Sequence, residues 1–219
     1  MPGNRVRESK VDATREAILA AAERLFAEQG IYNVSSRRIG QAAGQRNTTA
    51  VTYHFGSKID LMRAISGRHA QQIEQIRERL VIQTHGSARL RDWVTCMVLP
   101  VTEHLAALGG PTWYARFNAQ VSTDPALYEA VAAESAAHPS VCGLMDGFNA
   151  CLPDMPPEVH AVRDTMSRHL IVHLCLERER ALADGRSLFR SGWHDTALTL
   201  IDALTGLWSA PVTRTTADV

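Results

Sequence analysis

No stretch of this 219-residue sequence approaches the roughly 20 consecutive apolar residues that a membrane-spanning helix needs. The opening Met1-Pro2-Gly3-Asn4-Arg5 has no apolar run behind it, so it does not read as a secretory signal, and the cytoplasm is the expected location. Cysteine is scarce: Cys96, Cys142, Cys151 and Cys175 lie far apart with no CxxC pair, which predicts buried reduced thiols rather than a disulfide framework. Motifs of catalysis are missing as well. There is no Gly-rich phosphate loop, no GxSxG elbow and no HExxH helix. His169 and His173 stand at i, i+4, but no Cys, Asp or Glu joins them at ligand spacing, so surface or interface histidines are expected, with no metal and no cofactor. Internal repeats and low-complexity segments are absent too.

What is present describes an ordinary globular chain of one or two compact units, with 45% hydrophobic and 21% charged residues. Net charge is zero, from 23 basic and 23 acidic side chains, yet the charges are unevenly placed. Residues 1–64 carry ten Lys and Arg against six Asp and Glu, which leaves thirteen against seventeen for the remainder. A basic head and an acidic body suit a protein with one end turned to phosphates.

Strand-like alternation is rare and helical periodicity pervasive, so the chain is expected to be all-α. Residues 1–11 read as a loose polar arm whose Arg5, Arg7 and Lys10 are solvated or touch DNA. A first helix is predicted over 13–29, where Ile18, Ala21, Ala22, Leu25 and Phe26 form one apolar stripe. A short second helix, capped by Ser35 or Ser36, turns Ile39, Ala42 and Ala43 inward and ends at Gly44. A third begins near Asn47 or Thr48 and reaches about His54. Two short helices joined by a tight Gly-containing turn form a helix-turn-helix. Ser57 can cap a fourth helix from Lys58 to about Thr84. Further helices are predicted over 88–99, 101–108, 113–122, 125–136, 141–151, 158–183 and 192–208, with Pro100, Gly109-Gly110-Pro111 and Pro139 among the breaks.

A recognition helix needs short hydrogen-bonding side chains on its outer face to reach base edges in the major groove. Asn47, Thr48, Thr49 and Thr52 meet that need, and Val51 suits either a thymine methyl or the core. Tyr53 and His54 sit where a hydroxyl and a ring nitrogen reach phosphates, while Phe55 looks inward. The first N–H groups of the fourth helix, beside Ser57 and Lys58, form a predicted anion site. Arg37, Arg38 and Arg46 add charge around the turn. These residues alone leave plain packing open as the other reading, because Thr-rich short helices also occur in proteins that never meet DNA.

From Thr14 to Ile65, the ordered set Ile18-Leu19-Ala20-Ala21-Ala22, Leu25-Phe26, Gly30, Ile39, Ala42-Ala43-Gly44, Tyr53-His54-Phe55 and Ser57-Lys58 resembles the DNA-binding domain of the TetR (tetracycline repressor) family. The resemblance implies a homodimeric one-component regulator, usually a repressor. A three-helix head would read a palindromic operator in double-stranded DNA, and a helical body would release it when a small molecule binds. It assigns DNA contacts to Ser35 or Ser36, Arg37, Tyr53, His54 and Lys58. Two departures stand out. The family usually has one residue fewer between the turn glycine and the final aromatic, so Thr52 falls where a DNA-contacting tyrosine is usual and Tyr53 matches its neighbour. Gly40 stands where the family usually has Ala, with some loss of helix propensity.

The expected domains are a head over 12–58 and a ligand-binding and dimerisation body over 59–211, with the helix 59–84 as connector. The run from Leu170 to Leu176 is apolar nearly all round, which predicts contact with both its own core and a partner. Met166, Leu170, His173 and Leu174, with Leu200, Ile201, Leu204 and Trp208 of the last helix, are the candidate dimer surface. This resembles the four-helix interface by which the family dimerises, and heads about 34 Å apart would match successive major grooves. Trp93, Met97, Trp113, Phe117, Met145 and Phe148 are candidate pocket residues for a bulky apolar or amphipathic effector of unknown identity, with core packing as the other reading of each. Glu177 to Arg180 reads as a solvated helix end. The rival classes are a helical protein-binding adaptor and a small helical enzyme with a helix-turn-helix-like head. Salt-sensitive duplex binding separates both from a regulator.

Overall fold

The computed structural model describes residues 2–47, 49–136, 138–186 and 192–213, the side chains of 2–10 and 132–136 excepted. Among them are ten helices and no strand: α1 (Pro2–Gln29), α2 (Ser36–Ala42), α3 (Ala50–Phe55), α4 (Lys58–Thr84), α5 (Leu90–Ala107), α6 (Tyr114–Thr123), α7 (Pro125–Ala136), α8 (Pro139–Ala150), α9 (Pro157–Ala183) and α10 (Trp193–Ser209). None is long and apolar enough to cross a membrane.

Two elements differ from the sequence expectation. Helix α1 starts at Pro2 rather than near Ala13. After Gly3 the segment has no Gly or Pro until Gly30, and extending an existing helix adds one hydrogen bond per residue fixed, whereas nucleation is the costly step. The side chains of Arg5, Arg7 and Lys10 lie outside the described residues. Helix α5 runs straight through Pro100, where a break was expected. Pro100 is buried, and Thr102 Oγ1 donates to the carbonyls of Val98 at 3.3 Å and Leu99 at 3.2 Å just before it. Local packing thus outweighs the single backbone bond that proline removes.

The chain divides into two compact units, Met1–Gln71 with Gly110–Ser135, and Gln72–Gly109 with Ala136–Val219. In the first, α1 packs on α2 and α6, and α2 on α3. The predicted stripe of Ile18, Ala21, Ala22, Leu25 and Phe26 is buried, and Phe26 stacks on Phe117 of α6 with ring centroids 6.1 Å apart. Gln120, one turn further along α6, donates to the Phe26 carbonyl at 2.7 Å and accepts from Ile31 N at 2.9 Å. One carboxamide therefore serves both a terminal carbonyl of α1 and the first buried amide beyond it.

In the second unit α10 packs chiefly on α5 and also on α9, and α5 packs on α8. Trp208 is 1% exposed, meets Phe148 edge-on at 4.9 Å and donates its indole N–H to Ser167 Oγ at 2.8 Å. Buried Arg163 donates to the carbonyls of Trp208 at 3.1 Å and Ala210 at 2.6 Å, closing the end of α10. Gly147 of α8 faces the Trp93 ring so closely that a Cβ there would lie 2.1 Å from Cζ2. Arg178 and Glu179, expected in solvent, are buried, because helical spacing puts them on the face of Val172, Cys175 and Leu176. Only Glu177 and Arg180 of that run form an exposed pair, at 3.1 Å. All four cysteines are free. Burial pushes the Cys175 thiol up to about 12 and raises that of Cys96, so both stay protonated, whereas Cys142 is exposed.

Candidate nucleic-acid interface

The helix-turn-helix is assembled from α2 and α3. Ser35, extended at φ −88° and ψ 154°, caps α2 by accepting from Arg38 N at 3.3 Å. Between α2 and α3 the chain turns at Gly44, whose φ of +70° is a conformation that side chains rarely adopt. Asn47 Oδ1 accepts from both Thr49 N at 3.0 Å and Thr49 Oγ1 at 2.8 Å, which sets the start of α3 at Ala50. Helix α3 is thus later and shorter than the residues predicted, and the stretch around the extra residue is turn rather than helix. Its inner face is Ala50, Val51 and Phe55, all buried, so Val51 belongs to the core.

Thr52 and Tyr53 form the outer face, and the Tyr53 side chain is 81% exposed with its ring edge-on to half-buried His54 at 5.1 Å. Ser35, Arg37, Arg46, Asn47 and Thr49 are also exposed and Ser36 is half-buried, while Thr48 lies outside the described residues. The structure thus places polar and basic side chains from the second helix, the turn and the third helix outward along one short stretch of chain. On α2 itself Ile39 is buried, but Ala42 is exposed, contrary to the predicted inner face.

Two predicted contacts behave differently. The Lys58 ammonium donates to the carbonyls of Ile31 and, at 2.9 Å, Val34, and lies 5.5 Å from the Phe26 ring centroid. Burial pushes its pKa below the ordinary lysine value. Lys58 therefore fixes the loop between α1 and α2 instead of reaching outward. The start of α4 is also already occupied by an anion. Asp60 accepts from Ser57 N at 3.3 Å and Ser57 Oγ at 2.6 Å, while Asp60 N donates to Ser57 Oγ at 3.1 Å, a reciprocal capping box. The Ser57 hydroxyl holds the Asp60 carboxyl below its usual pKa, and a phosphate there would compete with it.

Sequence reasoning missed Arg15 and Gln120. Arg15 donates to the His54 carbonyl at 2.9 Å and stacks 4.3 Å over the Phe55 ring, closing the end of α3 from 39 residues away. No local pattern marks either residue, because each acts through a backbone carbonyl distant in sequence.

The other candidate residues scatter. Trp113 and Phe117 belong to the first unit, and Trp93, Met97, Met145 and Phe148 to the second. Phe117 and Phe148 are wholly buried and packed on Phe26 and Trp208, while Trp93 borders a cavity. Of the candidate dimer residues, Leu200, Ile201, Leu204 and Trp208 have at most 3% of their surface exposed, so they face their own core and have little to offer a partner. Met166 and Leu170 are exposed, as is His173, and Leu174 is half-buried.

Residues 18–65 match the family model for bacterial regulatory proteins of the tetR family. Over 73 residues the chain is 38% identical to the HTH-type transcriptional repressor BepR of Brucella suis biovar 1 (strain 1330), a match covering 32% of this chain and 34% of that protein. The matched stretch is thus about a third of that repressor's length. The fold resembles that of NalD, described as the secondary repressor of the MexAB-OprM multidrug efflux pump in Pseudomonas aeruginosa, with TM-score 0.58 and 25% identity over 90% of this chain and 95% of that one. A protein from Shewanella sp. PV-4 assigned to the tetR family of transcription regulators shares the fold at TM-score 0.57 and 19% identity, over 92% of this chain and 99% of that one. Residues 18–65 are thus similar to the N-terminal domain of the tetR family of bacterial regulatory proteins.

Proposed function

We propose that this chain is a one-component, ligand-responsive DNA-binding regulator of the bacterial cytoplasm, a repressor released from a palindromic operator by a small effector, and not an enzyme. The observation that carries the reading is the outer face of α3. Thr52 and the 81%-exposed Tyr53 stand out on a helix whose other side is locked in the core, with Arg37 and Arg46 exposed nearby. Polar side chains on a rigid short helix suit base-edge readout, and flanking arginines suit phosphates. The roles by sequence, a head over 12–58 and an effector and dimer body over 59–211, belong to this proposal.

The partner subunit is a second copy docking on α9. Val162, Met166 and Leu170 are 55%, 48% and 42% exposed and stand four residues apart, which makes one apolar row with His173 at its end. Two copies give two heads, and a ligand that binds one head spacing better than another shifts the population toward it. Helix α4 runs from Lys58 to Thr84 and is the continuous element for such a shift.

A mobility-shift titration on the duplex upstream of the chain's own coding region, at two salt concentrations, tests this. Saturable, sequence-selective and salt-steep binding is expected, lost in Tyr53→Ala without a change in thermal midpoint. Unchanged binding by that variant would mean that α3 is not the reading surface. Absence of binding to any duplex at low salt would favour the adaptor or enzyme readings. Sedimentation of Leu170→Glu should give a monomer; a dimer would place the interface elsewhere.

A further inference from the structure

The turn between α4 and α5 is fixed by its own hydrogen bonds. Ser87 N donates to the Thr84 carbonyl at 2.9 Å, Ser87 Oγ donates to Asp92 at 2.6 Å, and Arg89 N donates to Ser87 Oγ at 3.2 Å. The Ser87 carbonyl accepts from the Trp93 indole N–H at 2.9 Å and from the Cys151 thiol at 3.7 Å. One carbonyl thus ties α5 and the end of α8 to the turn. Bordering it, within the second unit, is a cavity of about 600 Å³. That volume lies inside the range of small-molecule sites, and its tethered walls need little reordering to accept a ligand.

The lining is chemically one-sided. The Trp93 indole and the side-chain-free Gly143 and Gly147 supply apolar surface, and His85 and Asp146 supply the polar part. Asp146, itself exposed, bears the one full charge among the lining residues, none of which is Lys or Arg. Gly147 is required by this arrangement, since any side chain there would overlap the Trp93 ring.

We propose that this cavity binds a small organic cation with a bulky apolar body, its charge set against Asp146 and its body against the Trp93 wall. The proposal deepens the effector reading above and rests on it for the regulatory meaning of the ligand. A cation whose charge is spread over an apolar frame sheds water easily, so it can enter such a site. A carboxylate at the site favours it over a neutral body of the same shape and disfavours an anion.

Tetraphenylphosphonium and tetraphenylborate have nearly the same shape and opposite charge. Equilibrium dialysis of the full chain, without DNA, should give saturable binding of the cation with about a tenfold preference over the anion. Asp146→Asn should weaken the cation about fivefold and leave the anion no weaker. Ala150→Trp, which fills the lining, should weaken both, provided that its circular dichroism and urea midpoint match the parent. Equal affinity for the two ions, cation affinity unmoved by Asp146→Asn, or no saturable cation binding would each overturn the proposal. Because DNA is not in the assay, failed operator binding leaves a positive result standing, and a failed titration leaves operator binding untouched.

Discussion

The two compact units hold their irregular segments by different means. In the first, long polar side chains reach backbone carbonyls far away in sequence: Lys58 to Ile31 and Val34, Arg15 to His54, and Gln120 to Phe26. The same unit places buried Glu23 between Arg68 at 2.5 Å and His69 at 3.0 Å, and His69 stacks on Tyr114 at 3.8 Å. In the second, Arg163 does the same at the end of α10, but large apolar groups from α5, α8 and α10 fill most of the space, with Phe148, Leu105, Leu200, Leu204 and Trp208 almost wholly buried. A short helix such as α3 has little core of its own and depends on donors placed by other helices. A unit built from long helices depends on volume. The first should therefore respond to single lost donors, and the second to lost bulk.

The largest effect is expected where volume is lost. Trp208→Ala removes a buried ring and the bond to Ser167, and should cost about 3–5 kcal/mol in urea unfolding. A cost near that of a surface change would mean that the second unit is held by something other than its core. Next comes Lys58→Met, which keeps the stem and deletes the donor. Leaving two carbonyls of buried residues without it should cost about 1–3 kcal/mol. Because the ammonium is turned inward, the salt slope of DNA binding should stay the same. A slope flattened by about one unit would place Lys58 on a phosphate after all.

A smaller effect of opposite sign is expected at Gly40. Among the described residues, a Cβ there meets only Asn47 O at 3.8 Å and Val51 Cγ2 at 3.9 Å, ordinary contacts. Gly40→Ala should stabilise α2 by roughly 0.5–1 kcal/mol, and a loss of stability would show that the turn cannot carry those contacts.

The smallest effect at any single group should come from pH. Asp60 and Asp124 in the first unit are held below the ordinary aspartate value, chiefly by hydrogen bonds from Ser57 and Tyr32 respectively, and Asp92 in the second chiefly by Ser87. A depressed carboxyl pKa contributes stability that is fully present above the unfolded value and is lost as pH falls through the folded one. The urea midpoint should hold from pH 7 to about 5 and decline below about 4. Asp60→Asn should reduce that decline. An unchanged acid slope in that variant would remove the capping box as a source.

Legibility followed the same division. The helices from α4 to α10 were readable because each carries enough turns for an apolar period and most end at Gly or Pro; only Pro100 misled, being buried inside α5. The motif around Ile39, Gly44 and Phe55 was readable from local signals. The start of α3 was not, because an Asn47 side chain competes with the backbone for its first amides. The inward turn of Lys58 could not be read either, since a lysine before a helix has the same sequence whether it faces a phosphate or two carbonyls. On α10, one apolar stripe serves the core alone, while the exposed apolar row lies on α9. Periodicity says that a face is apolar. It does not say who covers it.

Gly147 and Trp93 constrain how this chain can change over generations. Residue 147 cannot acquire even a methyl group while the indole stays, since the overlap would be with Trp93 Cζ2 at 2.1 Å. Trp93 can shrink first and leave a gap, after which 147 is open to a larger residue. The two positions can therefore exchange bulk in one order only, and descendants of this sequence should carry either the pair as it stands or a reduced residue at 93, never a side chain at 147 beside an intact tryptophan.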